Sequence, residues 1–240
     1  MSKKQSVGAT GSGAESARRI ITHSNVRKLT TIALLAALSY VVMAVGRIPV
    51  ITIPLVLKYD PKDVIIAVAG FIFGPLSAFA VSAVVSLVEM ITVSETGPWG
   101  LLMNIISTCA FVCPAAYIYK KRHSINGAIA GLVVGGIFAV AVMMLWNYIV
   151  TPIYTGYPRR AVAELLLPVF LPFNALKIGL NATLTILLYK PAVKSLRKMR
   201  LVDTSPRGSG AGSARYGVII ITSAVFITLA VLVLVMRGII

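Results

Sequence analysis

Acidic residues are scarce in this chain, and so is charge of any kind. Of 240 residues only 7 are Asp or Glu and 12% are charged, against 58% hydrophobic, which leaves too little polar surface for a water-soluble globule of this size. With 2 His and 2 Cys there is little from which to build a metal set or a disulfide framework. His23 and His123 lie in basic segments, and Cys109 and Cys113 sit within one apolar helix, where they read as small apolar filler. No Walker A loop, H-E-x-x-H pair or G-x-S-x-G elbow occurs, and Gly208-Ser209-Gly210-Ala211-Gly212 reads as linker because no strand flanks it. A non-enzyme without cofactor or metal is therefore expected.

What the chain has instead is long uncharged apolar stretches. They run Leu29 to Gly46, Val64 to Val88, Gly100 to Tyr119, Ile125 to Pro158 and Tyr216 to Met236, with a proline-interrupted one from Leu165 to Tyr189. About 20 such residues are enough to cross a bilayer core, so the fold class is an all-α integral membrane protein, multi-pass. The 23 basic residues cluster at the ends of spans rather than with aromatics on one soluble face, which reads as positive-inside topology and not as a nucleic-acid surface.

Parity then sets the number of crossings. Placing Lys3 to Lys28 in the cytoplasm, with Lys120 to Arg122 and Lys190 to Arg200 on the same side, requires the Val64 to Val88 stretch to be two spans, split at Gly74-Pro75. The first of these, Lys62 to Gly74, covers only about 20 Å of a core roughly 30 Å thick, so it is expected to be short or tilted and shielded by its neighbours. The resulting organisation is a disordered basic cytoplasmic tail at 1–26, a six-helix transmembrane core at 27–200, a linker at 201–215 and an additional C-terminal helix at 216–240. The tail has no apolar core of its own, so no cleavable signal peptide is expected and the first span serves as insertion signal.

Between the first two spans, Ile48 to Leu57 is too apolar for a solvated loop, while Pro49 and Pro54 deny it a regular helix. It is expected to fold over the bundle as a cap. The segment that follows, Leu57-Lys58-Tyr59-Asp60-Pro61-Lys62-Asp63, concentrates charge at the mouth of the next helix and suggests a ligand gate.

Ionisable and amide groups inside a bilayer are costly, so those within spans are site candidates: Glu89, Asn104, Asn147, Asn174, Lys177 and Asn181. Asn174 and Lys177 share one helical face near the outer end of span six, and Asn147 lies at similar depth in span five. Two carboxamides and an ammonium around one outer cavity suit a flat, neutral ligand with a polar edge, although interhelical hydrogen bonding and a snorkelling lysine are the competing use. Glu89 can balance Lys177, contact the ligand or reach for water. Small residues form two further sets. Gly127, Gly131 and Gly135 read as helix packing, while Ala33, Ala36, Ala37 and Ala44 allow either packing or a smooth face for another membrane subunit.

The chain resembles the riboflavin-specific substrate-binding subunits (S components) of energy-coupling factor (ECF) vitamin transporters. The resemblance covers about Asn25 to Arg200 and is carried by the Leu57 to Asp63 segment, Gly70-Phe71-Ile72-Phe73-Gly74-Pro75, Asn147-Tyr148 with Pro152-Ile153-Tyr154, and Pro172-Phe173-Asn174-Ala175-Leu176-Lys177. It implies a six-helix bundle in a prokaryotic plasma membrane whose outward pocket is closed by the loop after span one. In it Asn147, Asn174 and Lys177 would contact the flavin, Leu57, Lys58, Tyr59 and Asp60 would lie against it, and Asn104 or Glu89 would meet its polyol. Riboflavin would be transported substrate rather than cofactor. The resemblance assigns Ala33 and Ala37 to docking on a transmembrane coupling subunit, with two cytoplasmic ATPases supplying energy. The departure is the seventh span. Rival readings are an S component for thiamine or biotin, and a polytopic membrane enzyme using Glu89 and Lys177 with Asp60.

Overall fold

The computed structural model describes residues 8–51, 57–199, 201 and 227. The linker beyond Leu201 and the expected seventh span at 216–240, Ile227 apart, lie outside the described residues, as do residues 1–7. Helix α1 runs Gly8–Gly46, and its apolar part is Asn25–Gly46. The helix therefore starts inside the segment expected to be a tail. The physical reason is continuity: once the apolar span is helical, each further residue adds a hydrogen bond without a new nucleus, and 14–24 contain Ala and Arg but no proline.

After α1 the chain forms two short antiparallel strands, β1 Ile48–Ile51 and β2 Leu57–Tyr59, with Ile48 opposite Tyr59 and Pro49 opposite Lys58. The non-helical cap takes the form of a β ribbon. A run rich in β-branched residues favours extended backbone, and a two-stranded ribbon consists only of edges, where proline is tolerated.

The apolar stretch that follows is two helices, α2 Lys62–Phe73 and α3 Pro75–Thr92, as charge parity required. Gly74 joins them at φ 94°, a conformation open to glycine, and Pro75 starts α3 where a missing N–H costs nothing. With 12 residues, α2 is roughly 18 Å long and too short to cross a bilayer core by itself. It survives because α1, α3, α4 and α8 surround it; Val64, Ile66, Ala67, Val68 and Ala69 are fully buried.

Helix α4, Gly97–Arg122, and helix α5, Ile125–Ile149, form the tightest pair in the bundle. The Ser124 hydroxyl caps α5 by accepting from the Gly127 N–H at 3.0 Å. A Cβ at Gly131 would lie 2.7 Å from the Ala115 carbonyl oxygen, and one at Gly135 would lie 2.1 Å from that of Phe111. These glycines serve packing, as their spacing suggested.

Two short helices, α6 Thr151–Thr155 and α7 Arg159–Leu165, lead through a π-helical turn at Leu166–Phe170 into α8, Leu171–Lys198. Pro168 within the irregularity and Pro172 just after it cannot donate to a regular ladder. Among the described residues five helical stretches are long and apolar enough to span a membrane, and α2 packs among them. Large apolar side chains such as Val45, Leu76 and Ile91 face outward, an arrangement suited to lipid. On α1, Ala33, Ala37 and Ala44 share that outward surface, whereas Ala36 turns into the core.

Candidate functional site

One end of the bundle opens into a cavity with about 140 Å³ accessible to the centre of a water molecule. Its walls come from the ribbon, the end of α3 and its following loop, and the adjacent ends of α4, α5, α6 and α8. The cavity brings together eight of the nine ligand-binding residues read from the sequence: Leu57, Lys58, Asp60, Glu89, Asn104, Asn147, Asn174 and Lys177.

Helical periodicity places the key groups. Asn174 and Lys177 line the cavity from α8 with Phe173, Phe170 joins them from the end of the π-helical turn, and Asn147 shares a face of α5 with Met143. Each carboxamide has one half committed. Asn147 Oδ1 accepts from the Thr151 hydroxyl at 3.1 Å, which leaves its NH₂ to donate. Asn174 Nδ2 donates to the Phe170 carbonyl at 2.8 Å, which leaves its oxygen to accept. In these assigned amide orientations the pair offers one donor set and one acceptor to a planar ligand.

The charges are sorted. Glu89 is held at both carboxylate oxygens, one by Arg47 and the other by Lys62. It therefore ties together the residue after α1, the start of α2 and the end of α3; of the uses open to it, its direct partners are Arg47 and Lys62, and it still lines the cavity. Lys58 pairs with Glu95 at 2.5 Å. Lys177, among the described residues, has no carboxylate in ion-pair range and lines the cavity. Burial works against ionisation of Asp60, but Lys62, Lys177 and Arg47 outweigh it and hold its carboxyl below the usual carboxylate range. Its Oδ2 lies 3.9 Å from Lys62 and 4.0 Å from Arg47, while its Oδ1 makes no hydrogen bond.

Tyr59 is the exception. Its ring packs with Val50, Phe173, Leu176 and Leu180, and its hydroxyl donates to Asn181 Oδ1 at 3.0 Å. Asn181 Nδ2 in turn donates to Asp63 at 3.2 Å, and Thr108 donates to the other Asp63 oxygen at 2.6 Å. The residue thus sits behind the cavity wall, because alternate side chains of a strand point to opposite faces: Lys58 takes the cavity side and Tyr59 the core side. Burial, reinforced by Asp63 and Asp60, pushes the Tyr59 phenol upward.

The cavity also holds residues that the sequence reading passed over, including Arg47, Met103, Ser107, Met143, Tyr154, Phe170 and Phe173. Phe173 was findable, since it lies beside Asn174 on α8, whereas Phe170 reaches the cavity from the π-helical turn. Arg47 was not, because its partner Glu89 is distant in sequence.

Comparison with known proteins adds four findings. The family model described as "ECF transporter, substrate-specific component" matches residues 27–189. The chain is 28% identical over 188 residues to the "Riboflavin transporter FmnP" of Bacillus subtilis (strain 168), covering 73% of this chain and 98% of that protein. It is 30% identical over 186 residues to the "Riboflavin transporter RibU" of Streptococcus thermophilus, covering 73% of this chain and 87% of that one. A solved structure described as "Structure and mechanism of the S component of a bacterial ECF transporter" superposes with a TM-score of 0.62 at 28% identity, covering 72% of this chain and 99% of that chain.

Proposed function

From a chain that belongs to the family of ECF transporter substrate-specific components, we infer that the cavity beneath the ribbon is a riboflavin-binding site. The protein is a multi-pass membrane subunit that binds riboflavin as transported substrate, and it is not an enzyme. The observation that supports the site is the meeting of Asn147, Asn174 and Lys177 with Phe170 and Phe173 in one cavity.

The chemistry fits the vitamin. The pyrimidine edge of a flavin alternates carbonyl acceptors with one N–H donor. The Asn147 amide and Lys177 ammonium would donate to the carbonyls, and Asn174 Oδ1 would accept from the N–H. Phe170, Phe173, Met103 and Met143 supply an apolar, polarisable wall for the dimethylbenzene end. Asn104, Asp60 and the Ser94 to Thr96 loop provide polar groups for the polyol, with Leu57 and Lys58 closing over it.

In the bilayer the ribbon end faces outward, and the Lys120–Arg122 end and the N-terminus face the cytoplasm. Uptake then requires a transmembrane coupling subunit and two ATPases, with Ala33 and Ala37 on the exposed side of α1 as the docking surface.

The test is riboflavin titration of the purified, detergent-solubilised protein, followed by quenching of Trp99 and Trp146. Saturable quenching near one-to-one is expected. A folded protein that gives no response at any riboflavin concentration would overturn the reading.

A further inference from the structure

Two ion pairs of different depth cross the cavity between the same two parts of the chain. The inner pair joins Arg47, just before β1, to Glu89 near the end of α3, with side chains 19% and 4% exposed. The outer pair joins Lys58 of β2 to Glu95 in the loop between α3 and α4, with side chains 27% and 67% exposed. Both outer residues line the cavity. The loop is turned around Glu95 by a hydrogen bond from the Thr96 N–H to the Ser94 hydroxyl at 3.3 Å.

Depth decides which pair opens. Separating Arg47 from Glu89 would strand charges in a region with little water, and Lys62 shares the same carboxylate. Lys58 and Glu95 lose far less on separation, because solvent and salt take up both charges.

The geometry points to the Lys58–Glu95 pair as a releasable tie that holds β2 to the α3–α4 loop over bound ligand and sets how fast the ligand leaves, while the Arg47–Glu89 pair stays closed. The inference rests on the riboflavin-binding reading above. It assigns Glu95 a positioning role, separate from the groups that meet the flavin edge.

The experiment measures riboflavin dissociation from the full chain by stopped-flow fluorescence, beside an equilibrium titration. At about 20 mM salt Glu95→Gln is expected to release riboflavin about 3-fold faster than the natural chain, the scale of one solvent-exposed ion pair. Raising the salt to about 500 mM should bring the natural chain to the variant's rate and leave the variant's rate unchanged. A Lys58→Met, Glu95→Gln double variant should release no faster than either single variant, because one tie breaks only once. Equal rates for Glu95→Gln and the natural chain at low salt, or single effects that multiply in the double variant, would overturn the tie while leaving riboflavin capture standing. Absence of equilibrium binding by the natural chain would overturn both.

Discussion

The Lys62 ammonium sits against Glu89 Oε2, and that contact fastens the start of α2 to the end of α3 across 27 residues of chain. Lys62 is completely buried, and Glu89 is 3% exposed. The Ser39 hydroxyl donates to the Lys62 carbonyl at 3.1 Å, bringing α1 to the same point. Three helices therefore meet on one buried lysine.

Replacing that lysine should be costly. Lys62→Met leaves Glu89 with Arg47 alone and removes a cation from Asp60, and loss of one partner of a buried pair costs about 3 to 5 kcal/mol. Thermal unfolding in detergent should show a large fall in midpoint. A midpoint equal to that of the natural chain would mean that the pair does not hold α2 in place.

Asn174→Ala and Lys177→Met should each weaken riboflavin binding by roughly 10- to 100-fold, since a hydrogen bond to a charged or buried partner is worth about 1.5 to 3 kcal/mol. The check is fluorescence titration on variants with unchanged helical circular dichroism. An Asn174→Ala, Lys177→Ala double variant that folds and binds like the natural chain would remove both residues from the site.

Tyr59→Phe separates the two faces of β2. It removes the hydroxyl that serves Asn181 and should lower stability by about 1 to 2 kcal/mol, with little change in riboflavin affinity. A variant of normal stability whose affinity drops tenfold would put Tyr59 in contact with the vitamin after all.

Gly135→Ala and Gly136→Ala differ by one position and should differ in outcome. The new Cβ at 135 meets the Phe111 carbonyl oxygen at 2.1 Å, which only a backbone shift can relieve, whereas at 136 it meets the Cγ2 methyl of Ile178 at 2.9 Å, which a side-chain rotation can relieve. Overpacking should cost the first variant about 1 to 3 kcal/mol and the second much less. Comparison of the two melting midpoints decides the point.

Ala37→Trp alters only the outward surface of α1. Riboflavin titration of the purified variant should match that of the natural chain, while uptake by cells that carry the coupling proteins is abolished. Normal uptake would move the docking surface away from this part of α1.

Much of the bundle was legible before any coordinates, because a bilayer restricts what a chain can do. Charge is excluded from the core, so span ends are marked by lysine and arginine, and parity of the basic clusters required the break that the structure has at Gly74. The face shared by Asn174 and Lys177 follows from helical geometry alone. The ribbon was less legible, since two prolines ruled out a helix without specifying that Ile48 pairs with Tyr59.

By itself the sequence determined a membrane chain, the break between α2 and α3 and the polar residues that the bilayer would not tolerate without a purpose. Only the tertiary structure decided what those residues do. Glu89 binds Arg47 and Lys62 rather than Lys177, and Tyr59 turns to Asn181 while its neighbour Lys58 turns to Glu95. The physical reason is range. Hydropathy and helical period are local properties that can be read along the chain, whereas the choice of partner for a charge depends on which distant segments packing brings within a few ångströms.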